Sequence, residues 1–416
     1  MKIAWLGCVL WGSLLIAGNQ QSESNVNSRY IVESVEITGR QDAKISSFLR
    51  DDMNHLVGER VDLESIDNLA RRIRKELHVT IVTHRLLKGD EFDHVKVVFD
   101  LKGRKQDVDV NIPKFVFSSK QGWSAAAEAS TTISGNAFTV GMVSDNDALP
   151  ERYTGVTARY ERRSLGTDRV GLRFAFASYH DQWTRASDNF VSQQPFDSPD
   201  LVPGIYRTRQ DFEPALTFIL AKPLSLTVGT GFQRFQTQYP NARFQGANAM
   251  VASLRFHHQV EDSDANKHDV DATYSLRAAT RALGSDFVYM RHAAQARYHF
   301  KRGNHDLSDE VIAGYISGQA PIFERFVLGN SSTLRGWNRF DIDPVGGDRV
   351  VHNSMDYRYR LFEIFWDAGA IWNRTESPTP RHSLGVGLRD GAFFMAVAFP
   401  VRNGRADPIF MVGMNY

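Results

Sequence analysis

Asp269-Val270-Asp271-Ala272-Thr273-Tyr274-Ser275-Leu276-Arg277-Ala278 alternates polar and apolar residues without a break. Successive strand residues point to opposite faces, so this stretch predicts a strand with one apolar and one charged face. The same pattern appears between Arg169 and Ala177, where Val170, Leu172, Phe174 and Phe176 are the apolar set. It appears again where Leu224, Leu226, Val228 and Phe232 alternate with Ser225, Thr227, Gly229 and Gln233. A water-soluble sandwich explains one or two such strands. Strands of about ten residues are long enough to cross a bilayer when tilted. The mean hydropathy of −0.35 is no objection, because only alternate residues of a membrane barrel meet lipid.

The expected fold is therefore mainly β, a transmembrane antiparallel barrel over residues 106–416. Even strand numbers are the rule in bacterial single-chain barrels, and the pattern gives about sixteen. Connections alternate in length: residues 184–204 and 321–350 are long loops, whereas Leu361-Phe362 leaves room for a tight turn. At the end of the chain Phe410, Val412, Met414 and the terminal Tyr416 share one face, with Met411, Gly413 and Asn415 on the other.

The beginning of the chain is organised differently. Met1-Lys2, an apolar run from Ile3 to Gly18 and a polar stretch after it predict a signal peptide over residues 1–20. The only cysteine, Cys8, lies inside that segment, which excludes a disulfide framework and thiolate chemistry in the exported protein. A formal net charge of +1 gives no electrostatic argument for nucleic acid. Residues 29–104 then read as a small α+β domain of order β-α-α-β-β. Tyr30 to Thr38 alternates as a strand; Ile45, Phe48, Leu49, Met53 and Leu56 mark one helix; Ile66, Leu69, Ile73 and Leu77 mark a second, with Asp62 as its N-cap. Two more strands follow, near Thr80–Leu87 and His94–Leu101.

The loop at 321–350 holds the run Leu334-Arg335-Gly336-Trp337 and the pair Gly346-Gly347. In the strands after it, Asp356 and Asp367 fall on the polar face by parity. With Leu361-Phe362 as a two-residue turn, the two aspartates would lie directly opposite each other. Like charges so placed repel. An arginine between them relieves that, since its planar fork reaches two carboxylates and stays charged. Arg335 is the candidate latch; Arg358 and Arg360 are nearer rivals in sequence.

These features together resemble the BamA/TamA-type outer-membrane barrel superfamily, which includes two-partner secretion transporters and the bacterial surface antigen family. Leu334, Arg335, Gly336 and Trp337 match its loop motif of aliphatic-Arg-Gly-aromatic residues, and Asp356 and Asp367 match the two acids that the motif's arginine contacts. The 29–104 region resembles one POTRA domain, the periplasmic module of these proteins. Phe410, Val412, Met414 and Tyr416 resemble the C-terminal signal by which such barrels are recognised for insertion. General assembly factors have several POTRA domains and two-partner transporters usually two; here a single one is read. The resemblance implies an outer-membrane location, contact with its lipids, unfolded outer-membrane or secreted polypeptides as clients, and periplasmic chaperones or accessory proteins as helpers.

No enzyme, cofactor or metal is expected. Asp262-Ser263-Asp264-Ala265-Asn266 lacks the glycine and bidentate glutamate of a calcium loop, with Lys267 and Thr273 in their places. His257 and His258 point to opposite faces of a strand. Gly385-Val386-Gly387 opens no helix and is no dinucleotide site. Three functions compete: an insertion factor whose barrel seam templates client strands, a dedicated polypeptide exporter, and a passive channel. The alanine-rich stretch Trp123–Thr132 is read as the first barrel strand and hence the weak side of the seam.

Overall fold

The structure, a computed structural model, describes residues 29–39, 45–77, 79–104, 108–133, 135–193, 205–237, 242–261, 266–401 and 407–415. The predicted signal segment and Tyr416 lie outside the described residues, as does the whole of Asp262–Ala265. The chain divides into two compact units, Met1–Lys105 and Gln106–Tyr416.

The first unit runs β1 (Ile31–Thr38), α1 (Ser47–Leu56), α2 (Leu63–Glu76), β2 (Val79–Lys88), β3 (His94–Arg104). Its sheet has the order β1-β3-β2, with β1 parallel and β2 antiparallel to β3. Helical periodicity turns Leu49 and Met53 of α1, and Ile66, Leu69, Ala70 and Ile73 of α2, onto Val97, Phe99 and Leu101 of the central strand. Both helices begin at a side-chain cap. Ser46 accepts from the Leu49 N–H, and Asp62 accepts from the N–H groups of Glu64 and Ser65. Gly39 leaves β1 at φ +94°, where an added Cβ would lie 2.4 Å from the Leu101 carbonyl oxygen.

The second unit is a closed antiparallel barrel. Its strands are β4 (Asp109–Ser118), β5 (Gly122–Ile133), β6 (Asn136–Asp145), β7 (Arg152–Arg162), β8 (Val170–Gln182), β9 (Tyr206–Ala221), β10 (Leu224–Thr237), β11 (Arg243–Gly246), β12 (Ala249–Glu261), β13 (Lys267–Ala279), β14 (Val288–Arg302), β15 (His305–Gln319), β16 (Arg349–Tyr359), β17 (Phe362–Trp372), β18 (Arg381–Asp390), β19 (Phe393–Pro400) and β20 (Ile409–Asn415). Sixteen of them form the wall; β11 is a short arm that pairs with the end of β10, while β10 also pairs with β12. The long loop at 184–204 carries a helix, α3 (Arg185–Gln193), and the β15–β16 loop carries α4 (Arg339–Ile342). No described helix is long and apolar enough to cross a membrane.

Alternation sorts the two faces of the wall. Leu254, Tyr274, Met290 and Met355 are exposed on the outside. Phe174, Phe212 and Phe232 stack in a row across β8, β9 and β10, with centroids 6.3 and 6.4 Å apart. Inward residues pair by charge: Glu213 takes Arg173 on one side and Arg277 on the other, and Arg297 meets Glu310. The polar residues of an alternating strand thus line the lumen, while the apolar ones face lipid.

Two expectations are corrected. The barrel does not begin at Trp123–Thr132; that segment lies in β5, the second strand, and β4 precedes it. Pro113 and a register shift between Asn111 and Lys114 break the alternation of β4, which hides it from a periodicity reading. The turn between β16 and β17 is Arg360-Leu361, with Tyr359 opposite Phe362. Asp356 therefore faces Phe365 and Asp367 faces Ser354, so the aspartates are diagonal neighbours.

Asp62 gives the first unit a measurable pH dependence. The Ser65 hydroxyl, opposed by partial burial and joined by the Ser65 and Glu64 N–H groups, holds its carboxyl below the ordinary aspartate range. A lowered folded-state pKa stabilises above the unfolded value and is lost as pH falls through the folded one. Asp62→Ala should destabilise α2 by about 1 kcal/mol at neutral pH, and the difference should shrink in acid. Hydrogen exchange of the α2 amides in the full chain, at neutral and acidic pH, measures both.

Candidate functional site: the inward loop and its arginine

The loop between β15 and β16 leaves the wall at Ala320 and returns at Asp348. Its base is closed by Phe326 and Gly347, which exchange backbone hydrogen bonds of 2.9 and 3.0 Å. Gly346, at φ +73°, turns the chain there, and a Cβ would lie 2.4 Å from the Phe326 carbonyl oxygen. At the far end the Asn330 side chain accepts from the N–H groups of Ser332 and Thr333, at 3.0 and 2.7 Å. This asparagine turn delivers the chain to Leu334.

Leu334 is fully buried and has φ +49°, a left-handed conformation that branched or bulky residues adopt at a cost. Two partners on the wall hold it. The Leu334 N–H donates to His352 Nε2 at 3.1 Å, and the next N–H, of Arg335, donates to Asp367 Oδ2 at 2.8 Å. The two consecutive N–H groups are thus satisfied by different side chains, one from β16 and one from β17.

The guanidinium completes the arrangement. Arg335 Nε and Nη2 donate to the two oxygens of Asp367 at 3.0 and 2.8 Å, and Nη1 lies 2.7 Å from Asp356 Oδ1. Nη2 also donates to the Ser354 hydroxyl at 3.0 Å, which itself donates to Asp367 Oδ1 at 2.7 Å. The ring of Phe365 lies under the guanidinium, 3.6 Å from its carbon. Asp367 has no exposed surface and Arg335 is 7% exposed. Bidentate, charge-assisted contacts in a buried place are the strong kind.

The neighbours of Arg335 are fixed with it. A Cβ on Gly336 would lie 2.6 Å from Ser383 Cβ and 2.9 Å from the Phe399 carbonyl carbon, so only glycine lets the loop lie against β18 and β19. Trp337 Nε1 donates to the His382 carbonyl of β18 at 2.8 Å. The structure thus brings Leu334, Arg335, Gly336 and Trp337 against Asp356 and Asp367. It does not bring Asp356 and Asp367 face to face. The rival arginines are occupied elsewhere: Arg358 reaches Asp306, and Arg360 sits in the turn at φ +56° over the Tyr359 ring.

His352, Ser354 and Phe365 belong to the site but escaped the sequence reading. Parity alone places His352 and Ser354 on the same inward face as Asp356, and that signal was sufficient to include them. Phe410, Val412 and Met414 lie on the last strand, away from this loop; Phe410 is exposed on the outer face. Among the described residues no group of His, Cys, Asp and Glu is placed to hold a metal ion.

An inward loop with a buried arginine against barrel-wall acids is the setting in which likeness to known proteins becomes informative. The family description "Omp85 superfamily domain" matches residues 181–395, more than half of the chain. The chain belongs to the Omp85 superfamily. The matched region includes the loop, both aspartates and His352. It is an outer-membrane β-barrel of the BamA/TamA type. A stretch of 194 residues is 28% identical to the outer membrane protein assembly factor BamA of Nitratidesulfovibrio vulgaris, covering 39% of this chain and 24% of that protein. The chain thus spans about a quarter of the length of the curated relative it matches. Among solved structures, BamA from Haemophilus ducreyi lacking POTRA domains 1–3 superposes with a TM-score of 0.60 at 14% identity, over 93% of this chain and 84% of that one. CdiB from Acinetobacter baumannii gives 0.56 at 14% identity, over 93% and 74%. CdiB from Escherichia coli gives 0.54 at 10%, over 93% and 76%. At these identities the structural likeness is one of fold.

Arg335→Met removes the cation and leaves Asp367 buried without its partner. Such a loss costs ~3–5 kcal/mol, so the loop should become open to protease and the barrel should lose heat-modifiable migration at a lower temperature. Adding Asp367→Asn should recover a good part of that loss. His352→Phe strands the Leu334 N–H, an effect of ~1–3 kcal/mol; His352→Gln, which keeps an acceptor, should be milder in the same protease assay.

Proposed function

We propose that this protein assists the assembly of other proteins into the outer membrane, with its barrel seam as the working edge. The observation that carries the reading is the contact between the first and last strands. Among the described residues β4 and β20 pair over five positions, Lys114–Ser118 with Met411–Asn415, one fewer than β19 and β20. β13 and β14 pair over thirteen and β14 and β15 over fifteen. Each unpaired backbone group in hydrocarbon costs several kcal/mol, so the shortest ladder is the cheapest place to part the wall. Among the described residues, Val110 and Asn111 are in the ladder with β5 and not in the ladder with β20. Pro113, which lacks a donor, stands immediately before the first seam residue, Lys114. A client strand that adds to an open edge satisfies its backbone before it meets lipid.

In this reading residues 29–104 form a single POTRA domain in the periplasm, behind a signal peptide at residues 1–20. The free side of β2, an edge strand of the order β1-β3-β2, would receive extended chains, alone or from periplasmic chaperones. Leu334, Arg335, Gly336 and Trp337, with Asp356 and Asp367, act as a structural latch that keeps the loop inside the barrel. Phe410, Val412, Met414 and Tyr416 serve in the barrel's own insertion. No step requires a cofactor or a catalytic residue; the partners are lipids and unfolded polypeptides. The curated relative's printed name, an assembly factor, supports this choice over dedicated export of one secreted protein.

Depletion of the protein, followed by a proteomic inventory of outer membrane and medium, tests the choice. Loss of many barrels is expected. Loss of one secreted protein alone would identify a dedicated exporter, and altered permeability alone a channel. Phe117 and Val412 are direct partners across the seam, so a Phe117→Cys/Val412→Cys pair can be locked. The locked protein should stop client assembly and regain it on reduction; normal assembly while locked would refute the seam mechanism.

A further inference from the structure

The inward loop touches the barrel on both sides of the seam, and the two sets of contacts differ in strength. On the closing side the loop is held by Arg335 against β16 and β17, and by Trp337 and Gly336 against β18 and β19. On the opening side it reaches the first strands and their connections. Gln121, between β4 and β5, donates from Nε2 to the Gly329 carbonyl at 2.6 Å. The Ser331 N–H and hydroxyl donate to Asp147, between β6 and β7, the former at 2.8 Å. Asp147 and Asp145 in turn hold Lys114 of β4, at 3.0 and 2.9 Å. Lys114 is itself a seam residue, opposite Asn415.

Arg339 is the centre of this second set. It is 1% exposed, yet its hydrogen-bond acceptors are the Leu149 carbonyl and, at 3.0 Å, Asn146 Oδ1. Asn146 is tied back to the first strands, donating to the Gln121 carbonyl from its side chain and to the Ser124 hydroxyl from its backbone. The Arg339 Nε has no hydrogen-bond partner among the described residues. Arg335 is in direct contact with two carboxylates, whereas Arg339 donates to neutral oxygens and the carboxylates of Asp147, Glu151 and Asp145 act on it without direct contact. Direct charge-assisted hydrogen bonds are the stronger kind, so the two ends of the loop are unequal.

We propose that the loop is an internal strap across the seam, anchored firmly by Arg335 to the closing strands and releasably by Arg339 and Ser331 to the opening ones. Arg339 and Asp147 are then positioning residues for seam opening. When the seam parts, the loop lets go of Asn146, Asp147 and Leu149 and travels with β16–β19. The proposal rests on the reading of the seam as the working edge, and its test needs no client.

The test is hydrogen exchange of the purified full chain in lipid nanodiscs, followed by peptide mass. Arg339→Met should speed exchange of 114–118 and 411–415 about tenfold, the change made by ~1.4 kcal/mol of lost contact. Exchange of 362–372, under the Arg335 anchor, should stay unchanged. Ser331→Ala, a smaller lesion at a half-buried position of the loop, should give the same pattern at lower amplitude and keeps the test open should Arg339→Met fold poorly. Unchanged seam exchange in Ser331→Ala and Arg339→Met, or equal acceleration at 362–372, would overturn the strap. Client assembly is scored separately in depleted cells, so failure there counts against the assembly reading and leaves the exchange result standing.

Discussion

A chain inside a bilayer has no water to satisfy its backbone, so every strand needs a neighbour on both sides. That requirement forces closure, and most of this barrel meets it generously. The exceptions are the ladders on either side of β20, six pairs with β19 and five with β4 among the described residues. Geometry explains the deficit. β20 is only seven residues long, and β4 is interrupted by a register shift beside Pro113. The inward loop supplies from the lumen the cross-connection that the wall itself lacks.

The loop's conformation is a compromise between local cost and distant gain. Leu334 occupies a backbone region that suits glycine better. Its strain places two successive N–H groups on His352 and Asp367, and sets the guanidinium between two acids. None of these contacts would form separately. His352, Ser354 and Asp367 come from two strands paired through the β16–β17 turn, so the loop's contacts depend on the register of that hairpin.

The fold was legible in the sequence because alternation is a property of local residues, and the barrel repeats it many times. The latch was legible because face assignment depends only on parity. That is why the misplaced turn, Leu361-Phe362 instead of Arg360-Leu361, moved Asp356 two residues out of register and still left it beside Arg335. What parity cannot supply is depth along the strand. The opposition of the two aspartates was lost for that reason. β4 was missed because one proline and one bulge interrupt its period. Arg339 was missed because its partners are a carbonyl and an amide in another loop, and neither has a signature in spacing.

The inward charges have a further consequence. Arg173 and Arg277 share Glu213, Arg255 meets Asp271, and Arg297 meets Glu310. Each of these cations is matched by an anion on another strand of the wall, so these inward charges cancel in pairs instead of forming a ring of one sign. A small ion in such a lumen finds no sustained field to favour it or exclude it. Were the strap to leave the lumen while the wall stayed closed, the resulting leak would discriminate weakly between sodium and chloride.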